Sequence, residues 1–413
     1  MTRDIHKAVE AIWRIESARV IGGLVRMLGD VTKAEDWAQE ALIAALERWP
    51  EQGIPENPGA WLMTTAKRRA IDGIRRTEMM GRKHGELKLE AEPSVDEPDL
   101  DDAVGDDVLR LVFITCHPVL STEARVALTL RLVAGLTTDE IARAYLVPEP
   151  TLAQRLVRAK RTLGAAQVPF ELPPVDELSQ RLGSVLEVVY LIFNEGYAAT
   201  SGDDWLRSEL CDEALRLGRI LAELCPTESE VHGLVALLEL QASRSRARVD
   251  ARGQPILLMD QDRSRWDQLL IRRGLDALRR AQALHPGYGP YSLQAAIAAC
   301  HAVATRAEDT DWERIVALYD GLASLIPSPV IELNRAVAVS MAFGPAAGLE
   351  LVDALQQEPA LARYHLLPAV RADLLTKLGR TAEARSELER AAFLARNGRE
   401  RALLLERARA LGG

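Results

Sequence analysis

Cysteine is scarce in this chain. There are four among 413 residues, Cys116, Cys211, Cys225 and Cys300, all far apart. None forms a CxxC pair, and Cys116-His117 has no second ligand pair nearby. That spacing excludes a zinc site, a thioredoxin-like redox centre and a disulfide scaffold. Reduced thiols and no bound metal or cofactor are the expectation. Aromatic residues make up only 5% of the chain, and runs of alternating β-branched residues are rare, so strands are not expected. No run approaches the roughly 18–20 apolar residues of a membrane span, and the opening Met-Thr-Arg-Asp-Ile-His-Lys has no apolar signal core. A soluble, cytoplasmic protein with no membrane contact is expected. An excess of positive charge is missing too: 51 Lys and Arg stand against 60 Asp and Glu, a net charge of −9. That excludes a protein coated in cation, though not one with local basic helices.

What is present is helix-forming. Apolar residues reach 48%, Ala, Leu and Arg abound, and 413 residues suffice for two to four domains. An all-α fold follows. Apolar residues at helical spacing mark one helix over 4–28, ended by Gly29-Asp30, and a second from near Thr32 to Trp49. The second shows Glu35, Asp36, Gln39 and Glu40 on one face, either a solvated surface or a docking patch. A loop follows over 50–58. Asn57 or a neighbour then caps a third helix, 58–76, with Trp61, Leu62, Ala66, Ala70, Ile71 and Ile74 inward. Its outer face carries Lys67, Arg68, Arg69, Arg75 and Arg76, a charge density suited to a phosphate track. Residues 84–107 are acidic, with Pro93 and Pro98, and read as a flexible linker.

The stretch 136–163 reads as two short helices about a tight turn. Thr138 is placed to cap the first, whose apolar stripe is Ile141, Ala142 and Tyr145. Pro148 and Pro150 break it, and Thr151 is placed to cap the second. Leu152, Leu156 and Leu163 face inward from that second helix. Gln154, Arg155, Arg158, Lys160 and Arg161 face outward, the side chains a major-groove reader needs. The plainer alternative is a helical hairpin with a solvated basic face.

After the Pro-rich joint 167–177, eleven amphipathic segments suggest a stacked α-solenoid. One of them, with Ala372, Leu375, Gly379, Ala384, Leu388 and Ala391, has tetratricopeptide-like (TPR-like) spacing. Polar clusters at 194–197 and 260–267 read as helix termination at Gly196 and capping near Ser264, since no nucleophile–base or metal-ligand spacing accompanies them.

Two stretches carry a resemblance. Lys33-Ala-Glu-Asp-Trp-Ala-Gln-Glu-Ala-Leu42 with the 58–76 helix is similar to region 2 of a bacterial RNA polymerase sigma factor of the extracytoplasmic-function (ECF) group. The helix-turn-helix resembles region 4 of the same group, and the C-terminal helices resemble the subgroup with a TPR-like extension. The resemblance implies a region 2 domain over 1–82, a linker over 83–107, a region 4 domain over 108–166 and a helical domain over 178–413. It further implies core polymerase and promoter DNA as partners, with the last domain regulating activity or binding a protein partner. Asp36, Gln39 and Glu40 would dock on the polymerase. Asn57, Trp61, Lys67, Arg68, Arg69, Arg75 and Arg76 would take the −10 element, and the loop before them an unstacked base. Thr151, Gln154, Arg155, Arg158 and Arg161 would take the −35 element. Family members often have Asn where Arg69 stands. No catalytic residue is implied. The competing reading is a helix-turn-helix regulator with a sensory solenoid, which needs no polymerase patch.

Overall fold

The computed structural model describes residues 2–82, 100–145, 147–197, 207–250 and 255–411. Those residues are helical throughout, with no strand; one isolated bridge pairs Val249 with Pro255. Two compact units divide the chain, Met1–Val189 and Tyr190–Gly413.

The first unit opens with α1 (Thr2–Leu28), α2 (Val31–Gln52) and α3 (Pro58–Arg82). Gly29 ends α1 in the left-handed region, and Asp30 starts α2 by accepting from the backbone N–H groups of Thr32 and Lys33 at 2.8 and 3.2 Å. Small residues let the three helices approach closely: Ala34, Ala38, Ala41, Ala44 and Ala45 of α2 and Ala66 and Ala70 of α3 are fully buried. Gly73 of α3 lies beneath the Trp37 ring, where a Cβ would come within 2.2 Å. Two expectations fail here. Ile71 and Ile74 are 42% and 41% exposed rather than inward. The loop expected from Pro50 begins later, because α2 takes Pro50 into its last turn and ends at Gly53, φ +82.

The unit continues with α4 (Leu100–Thr115), α5 (Thr122–Leu132), α6 (Thr138–Ala144), α7 (Glu149–Ala165) and α8 (Val175–Tyr197). Residues 83–99 of the expected linker lie outside the described residues. From Leu100 onward the chain is helical, which corrects the expected extent of the linker. Asp107 is buried and paired with Arg26 of α1 and Arg110, at 3.4 and 3.1 Å. The start of α8 belongs to this unit: Arg125 of α5 donates to Ser184 Oγ at 3.0 Å, and Arg181 of α8 donates to the Phe113 carbonyl at 3.3 Å.

The second unit holds the end of α8 and then α9 (Ser208–Leu224), α10 (Ser229–Ala242), α11 (Gln268–Leu284), α12 (Pro290–Val303), α13 (Trp312–Leu325), α14 (Pro329–Phe343), α15 (Pro345–Ala354), α16 (Leu366–Lys377), α17 (Thr381–Leu394) and α18 (Gly398–Ala410). From α12 onward, packing runs mainly between successive helices, as in an α-solenoid. Helix α10 is buried over most of its length and sits among α9, α11 and α12. Its Glu230 reaches the start of α12, accepting from the Tyr291 and Ser292 N–H groups at 2.7 and 3.2 Å. Arg263, in the segment joining α10 to α11, donates to the His301 and Ala304 carbonyls at 2.7 Å and so satisfies the end of α12. The TPR-like stretch is the α16–α17 hairpin. Gly379, φ +74, makes its turn, and Ala372, Leu375, Ala384, Leu388 and Ala391 are buried.

Gly196 lies one residue before Tyr197, the last described residue of α8. The glycine is buried against α9, where a Cβ would lie 2.7 Å from the Cys211 backbone nitrogen. The cap of α11 is Asp267, which accepts from Leu269 and Leu270 N–H at 2.9 and 3.2 Å, rather than Ser264.

Candidate nucleic-acid interface

The helix-turn-helix forms as α6 and α7, but both caps differ from expectation. Thr137 caps α6: its hydroxyl accepts from Glu140 N–H at 3.2 Å, while the Glu140 carboxylate accepts from Thr137 N–H at 2.8 Å. The Thr-x-x-Glu spacing of 137–140 is the local signal that finds this box. Helix α7 starts after extended Pro148 with no side-chain cap, and Pro150 sits in its first turn. Thr151 therefore lies inside the helix, exposed. Leu152, Leu156, Ala159 and Leu163 are buried against the rest of the unit.

Thr151, Gln154, Arg155, Arg158 and Thr162 line one side of a shallow cleft of about 350 Å³, and Val119, Leu120, Ser121 and Ala124 line the other. Arg161 is exposed one turn beyond Arg158. The structure thus gathers Thr151, Gln154, Arg155 and Arg158 on one face. Lys160 departs from the predicted outer face. It is turned inward, and its ammonium donates to Glu35 at 2.8 Å.

Glu35 itself is the main surprise in α2. Expected on the acidic face, it is 4% exposed. It accepts from Arg131 Nε at 2.7 Å, from Lys160, and from Gln39 Nε2 at 2.8 Å. Burial alone would raise its carboxyl pKa, but Lys160 and Arg131 outweigh burial and hold it below the usual carboxylate range. Asp36 stays exposed. Glu40 is paired with Arg69 across α2 and α3. Gln39 is half-buried, with its amide committed to Glu35.

On α3, Arg68 and Arg75 are exposed and Lys67 is half-buried. The Arg76 side chain lies outside the described residues. Asn57, exposed, caps α3 by accepting from Ala60 N–H at 3.0 Å. Trp61 is half-buried and stands edge-to-face on Trp49, with centroids 5.3 Å apart. Burial pushes all four thiols up, Cys116 and Cys225 to about 11 and Cys211 to about 12.

Comparison with known families agrees with this layout. Residues 14–79 match the family model for "Sigma-70 region 2", and residues 110–163 match "Sigma-70, region 4". A protein of Mycobacterium tuberculosis, the ECF RNA polymerase sigma factor SigL, is 31% identical over 39% of this chain and 83% of its own length. The chain belongs to the ECF RNA polymerase sigma factors. A second M. tuberculosis protein, "Probable ECF RNA polymerase sigma factor SigI", is 28% identical over 41% of this chain and 59% of its own length. An uncharacterized protein of Rhizobium meliloti is 44% identical over 94% of this chain and 92% of its own length. It is therefore similar through the C-terminal helices as well. Residues 181–282 match "Family of unknown function (DUF6596)". Among solved structures, yeast Tom70 matches at 12% identity and a TM-score of 0.32, over 94% of this chain and 83% of that one. A score that low decides nothing about this sigma factor. As a sigma factor the chain is a transcription initiation factor of core RNA polymerase at promoters. Among the described residues no helix is long and apolar enough to cross a membrane.

Proposed function

We propose that this sigma factor reads the −35 element with α7 and the −10 element with α3, and meets the polymerase through the exposed acids of α2. The carrying observation is the clustering of Thr151, Gln154, Arg155 and Arg158 on one accessible face, with Arg68 and Arg75 exposed on a separate helix. Thr151, Gln154 and Arg155 stand near the start of α7, where a recognition helix meets base edges, and Arg158 and Arg161 lie further along, suited to phosphates. On α3, Lys67, Arg68, Arg69, Arg75 and Arg76 track the backbone, while Asn57 and Trp61 border the loop that holds an unstacked base. The sigma factor supplies no catalytic residue; the polymerase does the chemistry, in the cytoplasm.

Asp36 and Glu40 face outward for the polymerase, with Gln39 behind them. Run-off transcription with core polymerase tests this. Wild-type protein is expected to give a promoter-specific transcript. Asp36→Arg, alone and with Glu40→Arg, is expected to lower core affinity at least tenfold, with unchanged helix content by circular dichroism. No transcript from wild type, or unaltered core binding by both variants, would falsify the docking assignment.

The C-terminal helices are proposed to regulate activity or recruit a protein partner. A cleft of about 370 Å³ between α11, α12 and the start of α13, lined by Arg279 and Arg314 together with Asp309 and Asp311, is a place for a partner segment. Reversing both charges (Arg279→Glu with Arg314→Glu) is expected to change transcription yield or co-purifying partners severalfold. If neither moves, the cleft has no such role. Cutting the chain after Ala166 is a poorer test, since it removes the part of α8 that is bonded to α4 and α5.

A further inference from the structure

Helix α11 carries a surface unlike that of its neighbours in the second unit. Ile271, Gly274, Leu278 and Ala281 face inward and are buried. Arg272, Arg273, Asp276, Arg279 and Arg280 fall on the opposite side and are exposed. Asp276 is paired with Arg279, and Arg272 reaches only the Gln268 carbonyl, at 3.3 Å. Arg273 and Arg280 have no ion pair or hydrogen bond among the described residues. Two more exposed arginines extend the face past the start of the helix. Arg246 and Arg265, with Trp266 and Gln268, line a recess of about 640 Å³ there. The acids beside them are engaged: Asp267 caps α11, and Asp262, which attracts Arg265, also accepts from the Ser264 hydroxyl at 2.6 Å.

Elsewhere in this unit arginine is balanced. Every arginine of α9, α14, α16 and α17 is paired with a carboxylate. The chain as a whole has a net charge of −9. A cluster of open guanidinium groups against that balance contributes nothing to packing and is suited to a polyanion. A membrane surface is a poor fit, because an interfacial helix sinks its apolar face into lipid and the apolar face of α11 is spent on the core. The spacing suits a duplex better. Arg272 and Arg279, like Arg273 and Arg280, stand two helical turns apart, about 10.5 Å at ~1.5 Å per residue. That equals the rise of about three phosphates along one strand at ~3.4 Å each.

We propose that the arginine face of α11, with Arg246 and Arg265, is a second DNA contact, binding duplex phosphates outside the −10 and −35 elements without reading their sequence. The proposal rests on the sigma-factor assignment and goes beyond it, because it gives the C-terminal helices a nucleic-acid ligand. Each phosphate that an arginine neutralises releases condensed counterions, so the contact adds affinity that falls as salt rises. Base selection stays with α3 and α7, since exposed arginines on a phosphate track position a protein and carry no sequence information. A chain already held at a promoter meets the neighbouring phosphates at high effective concentration, so a few weak contacts suffice to lengthen its stay.

The test uses the full chain, free and as holoenzyme. Arg272→Gln, Arg273→Gln and Arg280→Gln combined are expected to weaken promoter binding by holoenzyme at least tenfold and to reduce the slope of log affinity against log salt by two to three, at ~0.9 per phosphate contact. Preference among −35 and −10 sequences and affinity for core polymerase are expected to stay as in wild type, and the three lysine substitutions at the same positions to keep the slope. Should the triple glutamine variant lose helix content by circular dichroism, Arg273→Gln with Arg280→Gln decides, since neither side chain bonds to the protein. An unchanged slope, or a loss of core binding in its place, overturns the proposal. Fluorescence anisotropy of the free chain compares a non-promoter duplex with poly-glutamate at equal charge. The glutamine variant is expected to lose affinity for the duplex; a loss confined to poly-glutamate would give the face to an acidic protein and overturn the proposal as well. The wild-type run-off transcript is read in parallel. Its absence indicts the sigma-factor reading, whereas its presence with an unchanged slope in the variant indicts the α11 contact alone.

Discussion

Trp49→Ala is expected to unfold the α1–α3 bundle and with it to abolish promoter-specific transcription. Trp49 is 1% exposed at the end of α2, and its ring is the platform on which Trp61 of α3 stands. Removing a buried indole costs about 3–5 kcal/mol, a large part of the roughly 5–15 kcal/mol that holds a small domain together. The loss falls on the elements that carry both Asp36 and the basic α3 face, so docking and −10 binding should fail together. Trp49→Phe is the discriminating control. The Trp49 indole N–H is buried with no hydrogen-bond partner, so the substitution removes an unsatisfied donor while keeping most of the ring. Thermal melting by circular dichroism is expected to show a melting temperature lowered by well over ten degrees for the alanine variant and by only a few degrees for phenylalanine. Equal melting of the two would mean that the ring volume at this position carries no stability.

How far the sequence reveals this molecule depends on whether the deciding interaction is local. Apolar spacing locates the helices, including all eleven of the C-terminal half, because the core-facing stripe is written at i, i+3 and i+4. Asn57 is legible as a cap for the same reason, its partner being three residues away. Glu35 and Lys160 are not legible. Each lies in a run of charges, and such runs are normally solvated; what buries them is a partner 125 positions distant. Asp107 misleads in the same way, because its acidic neighbours suggest a disordered tether while its pairing with Arg26 depends on the fold. Ile71 and Ile74 err in the other direction. They sit at helical spacing, yet among the described residues no helix covers that side of α3. Thus the face of α7 proposed to read DNA follows from the sequence, whereas the acid that pairs with Lys160 of α7 appears only once the helices are packed.

The last large effect lies on α7, where different side chains should fail in different ways. Gln154 presents an amide that can donate to and accept from one base edge, and Gln154→Ala is expected to lose about 1–3 kcal/mol at one −35 position and to relax selectivity there. Arg158→Ala removes a phosphate contact instead. It should weaken all promoters alike and reduce the slope of log affinity against log salt by about one. Arg155 stands between these roles. The Glu123 carboxyl at the start of α5 is held below the usual carboxylate range first by a backbone N–H and by Ser121, and the Arg155 guanidinium adds a smaller attraction. Arg155→Ala is therefore expected to reduce specific binding with a smaller change in salt slope than Arg158→Ala. Titrating holoenzyme on promoters altered one −35 base at a time, at several salt concentrations, separates the three. A combined Gln154→Ala, Arg155→Ala, Arg158→Ala protein is expected to lose at least a hundredfold in −35-dependent transcription, with core binding intact, because α7's buried leucines are untouched. If the combined variant transcribes normally from promoters that depend on the −35 element, the helix faces DNA with some other surface.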